Sequence, residues 1–145
     1  MWNISEEIRS AANRLMIKAE EIPTKEAEEI INKVITIYAR GNIDRYIWER
    51  VTNEVAINHK DAWQWINTFI SNSEAIMFFN PSDEKKAYRL SNGDDVVTIL
   101  SETYGFEFYI TNKEADYLLC FNHHDVLIAC GSAKEWLREY KEKQC

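Results

Sequence analysis

Near residue 74 the apolar residues change their period, and that change limits what this chain can fold into more than any motif does. Before it they recur at three- and four-residue steps, the spacing of one face of a helix. Ile4, Ile8, Ala11, Ala12 and Leu15 predict a helix over 5–19, with Ser5 as N-cap and Glu6 and Glu7 in its first turn. Pro23-Thr24 opens a second helix striped by Ile30, Ile31, Val34, Ile37 and Tyr38, with Gly41 at its stop, and the two are expected to pack as a hairpin. A third helical stretch near 43–54 carries Ile43, Tyr46, Ile47, Trp48 and Val51. A fourth, near 60–71, carries Trp63, Trp65, Ile66, Phe69 and Ile70 behind Asp61 as cap. Trp48, Trp63 and Trp65 are expected to pack between layers, since large rings bring the most apolar area per residue.

After residue 74 the pattern is one of short runs rich in β-branched and aromatic residues, bounded by Asn80-Pro81-Ser82-Asp83 and Asn92-Gly93. They predict strands at Glu74–Phe79, Lys86–Ser91, Phe106–Thr111, Asp116–Asn122 and Val126–Ala129. Between the second and third, Val96, Val97, Leu100 and Tyr104 predict a helix over Asp94–Tyr104, stopped by Gly105, that crosses one face of the sheet. Short polar links, Asn112–Ala115 and His123–Asp125, make the last three strands an antiparallel meander, and a helix over Ala133–Glu142 closes the chain. The expectation is a single α+β domain over 1–145. Its N-terminal helices, about 1–72, precede a mainly antiparallel sheet of about five strands, about 73–145, with a crossover helix and a C-terminal helix.

Hydrophobic residues at 46% with only two prolines and four glycines exclude a disordered chain, which cannot bury enough apolar surface to offset its entropy. Lys and Arg number 17 against 24 Asp and Glu, a net charge of −7, which repels phosphate backbones, so nucleic acid is not an expected partner. The charge is uneven, net −2 over residues 1–72 and −5 over 73–145. Within 93–125, Asp94, Asp95, Glu102, Glu107, Glu114, Asp116 and Asp125 face a single Lys113. These acids are the candidate contacts for a basic protein partner, drawn in by complementary potential, and the alternative is an ordinary solvated surface. The first residues lack the basic and apolar regions of a signal peptide, and no apolar run approaches the ~20 residues that span a bilayer. Three cysteines, Cys120, Cys130 and Cys145, form no disulfide framework, which suits a reducing compartment, and a cytoplasmic, membrane-free protein is expected.

The residue types of thiol catalysis and zinc ligation meet once, in Cys120-Phe121-Asn122-His123-His124-Asp125 with Cys130 beyond. A structural zinc site needs close pairs of the Cys-x₂₋₄-Cys or His-x₃₋₅-His kind, and neither occurs. Cys120 and Cys130 sit in alternating apolar strands, as small buried hydrophobes do. A thiol enzyme would require an imidazole of the His123-His124-Asp125 turn to curl over Cys120 and a lowered thiol pKa. The alternative is a hairpin turn in which Asn122 and Asp125 bond the backbone. Asn92-Gly93-Asp94-Asp95 lacks the alternating carboxylates of a calcium loop and is expected to start a helix capped by Asp94 or Asp95. No phosphate loop, nucleophile elbow or His-Glu-x-x-His helix is present. The chain is therefore expected to work by binding, without catalytic residues, metal or cofactor; the alternatives are a small enzyme using Cys120 or the His123-His124-Asp125 turn, and a generic intracellular adaptor or homodimer with an exposed aromatic patch around Trp63 and Trp65.

Residues 99–110, Ile-Leu-Ser-Glu-Thr-Tyr-Gly-Phe-Glu-Phe-Tyr-Ile, and 117–128, Tyr-Leu-Leu-Cys-Phe-Asn-His-His-Asp-Val-Leu-Ile, resemble a family of small uncharacterised bacterial domains. Trp48-Glu49 and Ala75–Phe79 fit its middle region, so the resemblance covers about 45–131, with Asn122, His123 and His124 as its signature. In size, acidity and lack of motif the chain is similar to the immunity proteins of polymorphic toxin and contact-dependent growth inhibition systems. That resemblance implies a cytoplasmic protein that binds and blocks a cognate toxin domain, a basic nuclease among the candidates.

Overall fold

The computed structural model describes residues 3–41, 46–103 and 105–144. Helix α1 (Ile4–Leu15) starts on Asn3, whose Oδ1 accepts the Glu6 N–H at 3.0 Å. Asn3 is thus the cap expected at Ser5, which is already helical and buried. The helix ends well short of residue 19, because Met16 turns left-handed (φ 58°) and sends the chain into strand β1 (Ala19–Glu21). Helix α2 (Thr24–Tyr38) follows Pro23 as expected, and the Gly41 N–H closes its end onto the Ile35 carbonyl at 3.0 Å. The helix expected near 43–54 reduces to a single 3₁₀ turn, Ile47–Glu49, with residues 42–45 outside the described residues. Strand β2 (Val55–Asn58) comes next, and the fourth expected helix is a 3₁₀ turn, Ala62–Trp65, running into the short α3 (Ile66–Ile70).

The second half matches its periodicity closely. It holds β3 (Ala75–Phe78), β4 (Tyr88–Leu90), α4 (Gly93–Ser101), β5 (Phe108–Thr111), β6 (Tyr117–Phe121), β7 (Val126–Gly131) and α5 (Ala133–Gln144). The cap of α4 is Asn92, whose Oδ1 accepts the Asp95 N–H at 2.8 Å, so neither Asp94 nor Asp95 has that role. Expected Tyr104 lies outside the described residues.

The strands form one antiparallel sheet of seven in the order β1-β4-β3-β5-β6-β7-β2. This is the α+β class, with two strands more than the five expected. Both extra strands, β1 and β2, come from the first half and form the two edges. They are short and surrounded by helical pattern, which hides a period of two. β4 and β5 are both antiparallel to β3 and hence parallel to each other, and α4 carries the chain across the face between them.

Side chains alternate across this sheet, and both faces are covered. Met77, Tyr88, Leu90, Ile110, Leu119, Leu127 and Ala129 pack with α1, α3, α4 and α5 on one face. Ile76, Phe78, Tyr109, Leu118, Cys120, Ile128 and Cys130 pack with α2, Ile47 and Val51 on the other. Double burial explains why β3 and β6 read as nearly continuous apolar runs, each buried Leu, Ile or Phe contributing about 1.5–3 kcal/mol. It also separates α1 from α2: they lie on opposite faces and do not form the expected hairpin. No described helix is long and apolar enough to cross a membrane.

Candidate functional site

On the α2 face, at the end of the sheet where the β6–β7 turn lies, alternation gives way to polar residues: Asn80 just after β3, Glu107 just before β5, Tyr109 within it and Asn122 just after β6. Glu107 is the hub. Its side chain is only 11% exposed, and its carboxylate accepts from Trp48 Nε1 (3.0 Å), Asn80 Nδ2 (2.7 Å), the His123 backbone N–H (2.8 Å) and His123 Nδ1 (2.5 Å). Burial raises its pKa, but the bonds from His123, Trp48 and Asn80 outweigh burial and hold it below the usual carboxylate value. Glu107 is therefore an anion at neutral pH, satisfied by donors from three segments distant in sequence.

Tyr109 supports the same hub from below. Its hydroxyl donates to Asn80 Oδ1 at 2.5 Å and accepts the Trp48 backbone N–H at 3.2 Å. Burial pushes its pKa far up, so it stays a donor. The 3₁₀ turn at Ile47–Glu49 is thereby fastened to the sheet through both the backbone and the indole of Trp48.

The β6–β7 turn is built by Asn122, which is 4% exposed. Its Oδ1 accepts the N–H groups of His124 (2.9 Å) and Val126 (3.2 Å), the local bonding by which asparagine closes a turn, and Asp125 takes the left-handed conformation (φ 59°). Edge strand β2 also holds the turn, through Asn58 Nδ2 to the His124 carbonyl (3.0 Å) and the His59 N–H to the Asp125 carbonyl (2.9 Å). His123 and His124 are exposed, their ring centroids 3.9 Å apart, and both meet Trp48 in a T-shaped arrangement at 5.9 Å, with Tyr46 stacked on the indole at 5.6 Å. A hollow of about 280 Å³ beside them is lined by Phe106, Glu107, Phe121, Asn122, His123 and Asp125 among others.

Cys120 does not join this group. It is fully buried opposite Tyr109 and Ile128 on the α2 face, and burial pushes its thiol well above the usual value, with Cys130 and Glu107 adding to the shift. Cys130 is likewise buried and pushed up to about 12. The lowered thiol that a Cys120 nucleophile requires is the reverse of what this environment makes. Among the described residues, no group of three or more His, Cys, Asp and Glu side chains is placed to hold a metal ion.

The seven acids proposed as one contact surface are dispersed. Asp94 and Asp95 sit at the start of α4 and Glu102 at its end, where it pairs with Arg14 at 3.7 Å. Glu114 and Asp116 lie in the β5–β6 turn, at the opposite end of the strands from Asp125. Glu107 points inward. The fold brings Glu107 to Asn122, His123 and His124, and adds Trp48, Asn80 and Tyr109, which sequence reasoning left out. One signal for that cluster was available: Glu107 is a single acid inside the aromatic run Phe106–Tyr109, which leads into a strand buried on both faces. The aromatic patch considered around Trp63 and Trp65 is not free, since Trp65 is buried between His59 and Tyr140.

The chain belongs to the DUF6756 family. This is a family of unknown function, and its match takes in residues 1–141, so all the strands, the Glu107 hub and the Asn122–Asp125 turn of this DUF6756 chain fall within it. Neither curated proteins nor solved structures give a match to it.

Proposed function

We propose that this protein is an immunity-type binding protein, which neutralises a cognate toxin domain in the cytoplasm by direct complex formation, and that the toxin domain is basic. The observation that carries this reading is the surface above Glu107. Two exposed imidazoles and an indole are held by hydrogen bonds and ring contacts, so a partner would order few new rotamers on docking there. Anchors of this kind, aromatic and pre-positioned with a polar rim, are where binding energy concentrates. Asp125 on the same turn, and a net charge of −7 over the chain, favour encounter with a basic domain.

Glu107 is withdrawn from the contact residues by its burial and acts as the support of the surface. The remaining acids, Asp94, Asp95, Glu102, Glu114, Asp116 and Asp125, supply long-range attraction. The test is growth of cells that express the C-terminal domain of a large gene upstream, if one exists, with and without this chain, followed by co-purification. Rescue and a stable complex are expected, and replacing His123 and His124 together by Ala should weaken both. Toxicity that the chain does not relieve would sink the immunity reading. Full rescue by the double variant would move the contact surface elsewhere.

A further inference from the structure

The two edges of the sheet are unlike. β1 is three residues long, and its Glu20 and Glu21 are engaged by Arg89 (3.2 Å) and Lys86 (3.7 Å). A short edge that carries charge discourages the addition of a further strand. β2 is Val55-Ala56-Ile57-Asn58, without charge, proline or bulge, and its four residues pair with β7 in unbroken register. In such a ladder alternate residues turn their N–H and C=O groups outward, and on that side no described strand meets β2. Along the same edge a hollow of about 480 Å³ is lined by Glu54, Val55, Ala56, Arg138, Lys141 and Glu142.

We propose that β2 is a homodimer surface, through which two copies of this chain pair antiparallel around a two-fold axis perpendicular to the sheet. Such a contact is isologous, so the strand must complement its own reversed sequence. Centred on Ala56, the pairing sets Val55 against the other copy's Ile57 twice and Ala56 against itself. Val55 and Ile57 share the α5 face of the sheet, as opposed residues of an antiparallel pair must. The hollow meets the same requirement in charge. Arg138 is paired within its own helix to Glu135, and the neighbouring Lys141 and Glu142, both on α5, leave one cation and one acid on the same face, so each copy's Lys141 can face the other's Glu142.

Sedimentation equilibrium of the purified full chain tests the dimer, and is expected to show one that loosens with dilution. Ala56→Cys, in a Cys145→Ser background, is expected to form an intermolecular disulfide under mild oxidation, since the Cα atoms of a directly opposed, hydrogen-bonded pair lie about 5.5 Å apart, within the span of a disulfide. Ala56→Lys opposes two ammonium groups and should raise the dimer dissociation constant at least about tenfold. Should that variant fold poorly, a charge exchange decides instead: Lys141→Glu and Glu142→Lys should each weaken the dimer and together restore it. A monomer at every attainable concentration overturns the proposal. So does a dimer that withstands Ala56→Lys and both charge reversals, or one in which the Ala56→Cys variant stays uncrosslinked.

Discussion

The central strands β5, β6 and β7 are closed by a turn at each end, and the two ends are held by different means. At the β6–β7 end the fastening is a side-chain anion, Glu107, that draws Trp48, Asn80 and His123 onto one carboxylate. At the β5–β6 end it is close backbone approach. The Tyr38 hydroxyl donates to the Ala115 carbonyl at 2.7 Å, the Ser132 N–H donates to the Asp116 carbonyl at 3.0 Å, and Thr111 Oγ1 donates to the Tyr117 carbonyl at 2.6 Å. Gly131 permits this. At φ 65° any Cβ there would lie 2.5 Å from both the Asp116 oxygen and the Tyr38 hydroxyl. The acids of this end, Glu114 and Asp116, are exposed. Equal formal charge thus does different work at the two ends: Glu107 gathers three segments distant in the chain, whereas Glu114 is exposed and Asp116 accepts from nearby Asn112 Nδ2 at 3.1 Å within its own turn.

The largest effect expected from breaking this contrast is at Gly131. Gly131→Ala combines a left-handed alanine with a backbone clash and should cost about 3–4 kcal/mol in denaturant unfolding. Glu107→Ala comes next. It leaves the Trp48, Asn80 and His123 donors without their acceptor, a loss of about 2–4 kcal/mol, with a change in Trp fluorescence as the indole is released. Tyr38→Phe should cost about 1 kcal/mol, the value of one buried hydrogen bond. Burial, with Cys130 and Asp116 adding, pushes the Tyr38 hydroxyl up to about 12, so it donates throughout the neutral range. Glu114→Gln and Asp116→Asn should each fall within about 0.5 kcal/mol of the parent, as exposed substitutions do. A large effect of either would erase the distinction between the ends.

Acid sharpens the same comparison. Because the folded pKa of Glu107 is depressed, the unfolded chain binds more protons there as pH falls. Its stabilisation is complete above the unfolded carboxylate value, about 4.3, and is lost as pH falls through the lower folded value. The unfolding midpoint of the parent should therefore fall more steeply, as pH drops below the unfolded carboxylate value of about 4.3, than that of Glu107→Gln. Matching slopes would show that Glu107 is not held as an anion. Cys120 and Cys130, buried and raised, should resist alkylation at neutral pH until the protein unfolds; rapid labelling of folded Cys120 would reopen the thiol-enzyme reading.

Much of the architecture was legible in the residue pattern. Helix α2, the five strands of the second half, α4, α5 and the meander follow from period and turn residues, all of which act over a few neighbours in the chain. The helix expected near 43–54 was misread because Ile47, Trp48 and Val51 are spaced like a helical stripe. Among the described residues of that stretch the helical part is the 3₁₀ turn Ile47–Glu49, since Trp48 is bound by Tyr109 and Glu107, about 60 positions away, rather than by its own helix. The edge strands were missed for a related reason: three or four residues give too little alternation to show a period of two, and their partners, β4 and β7, are remote.

The candidate site divides along the same line. Asn122 as the builder of the β6–β7 turn could be read locally, because its side chain bonds N–H groups two and four positions on. The role of Glu107 could not. By sequence it was one acid among seven in a negative segment, and only the pairing of β3, β5 and β6 brings Asn80, Trp48 and His123 around it while sending Glu114 and Asp116 to the other end. What the sequence determined by itself was the kind and order of the elements and the sign of the net charge, which depend on neighbours in the chain and on a sum. Which charges face water, which one is buried, and which strand is left as an open, uncharged edge were decided by strand order, because each depends on residues that meet only once the sheet has formed.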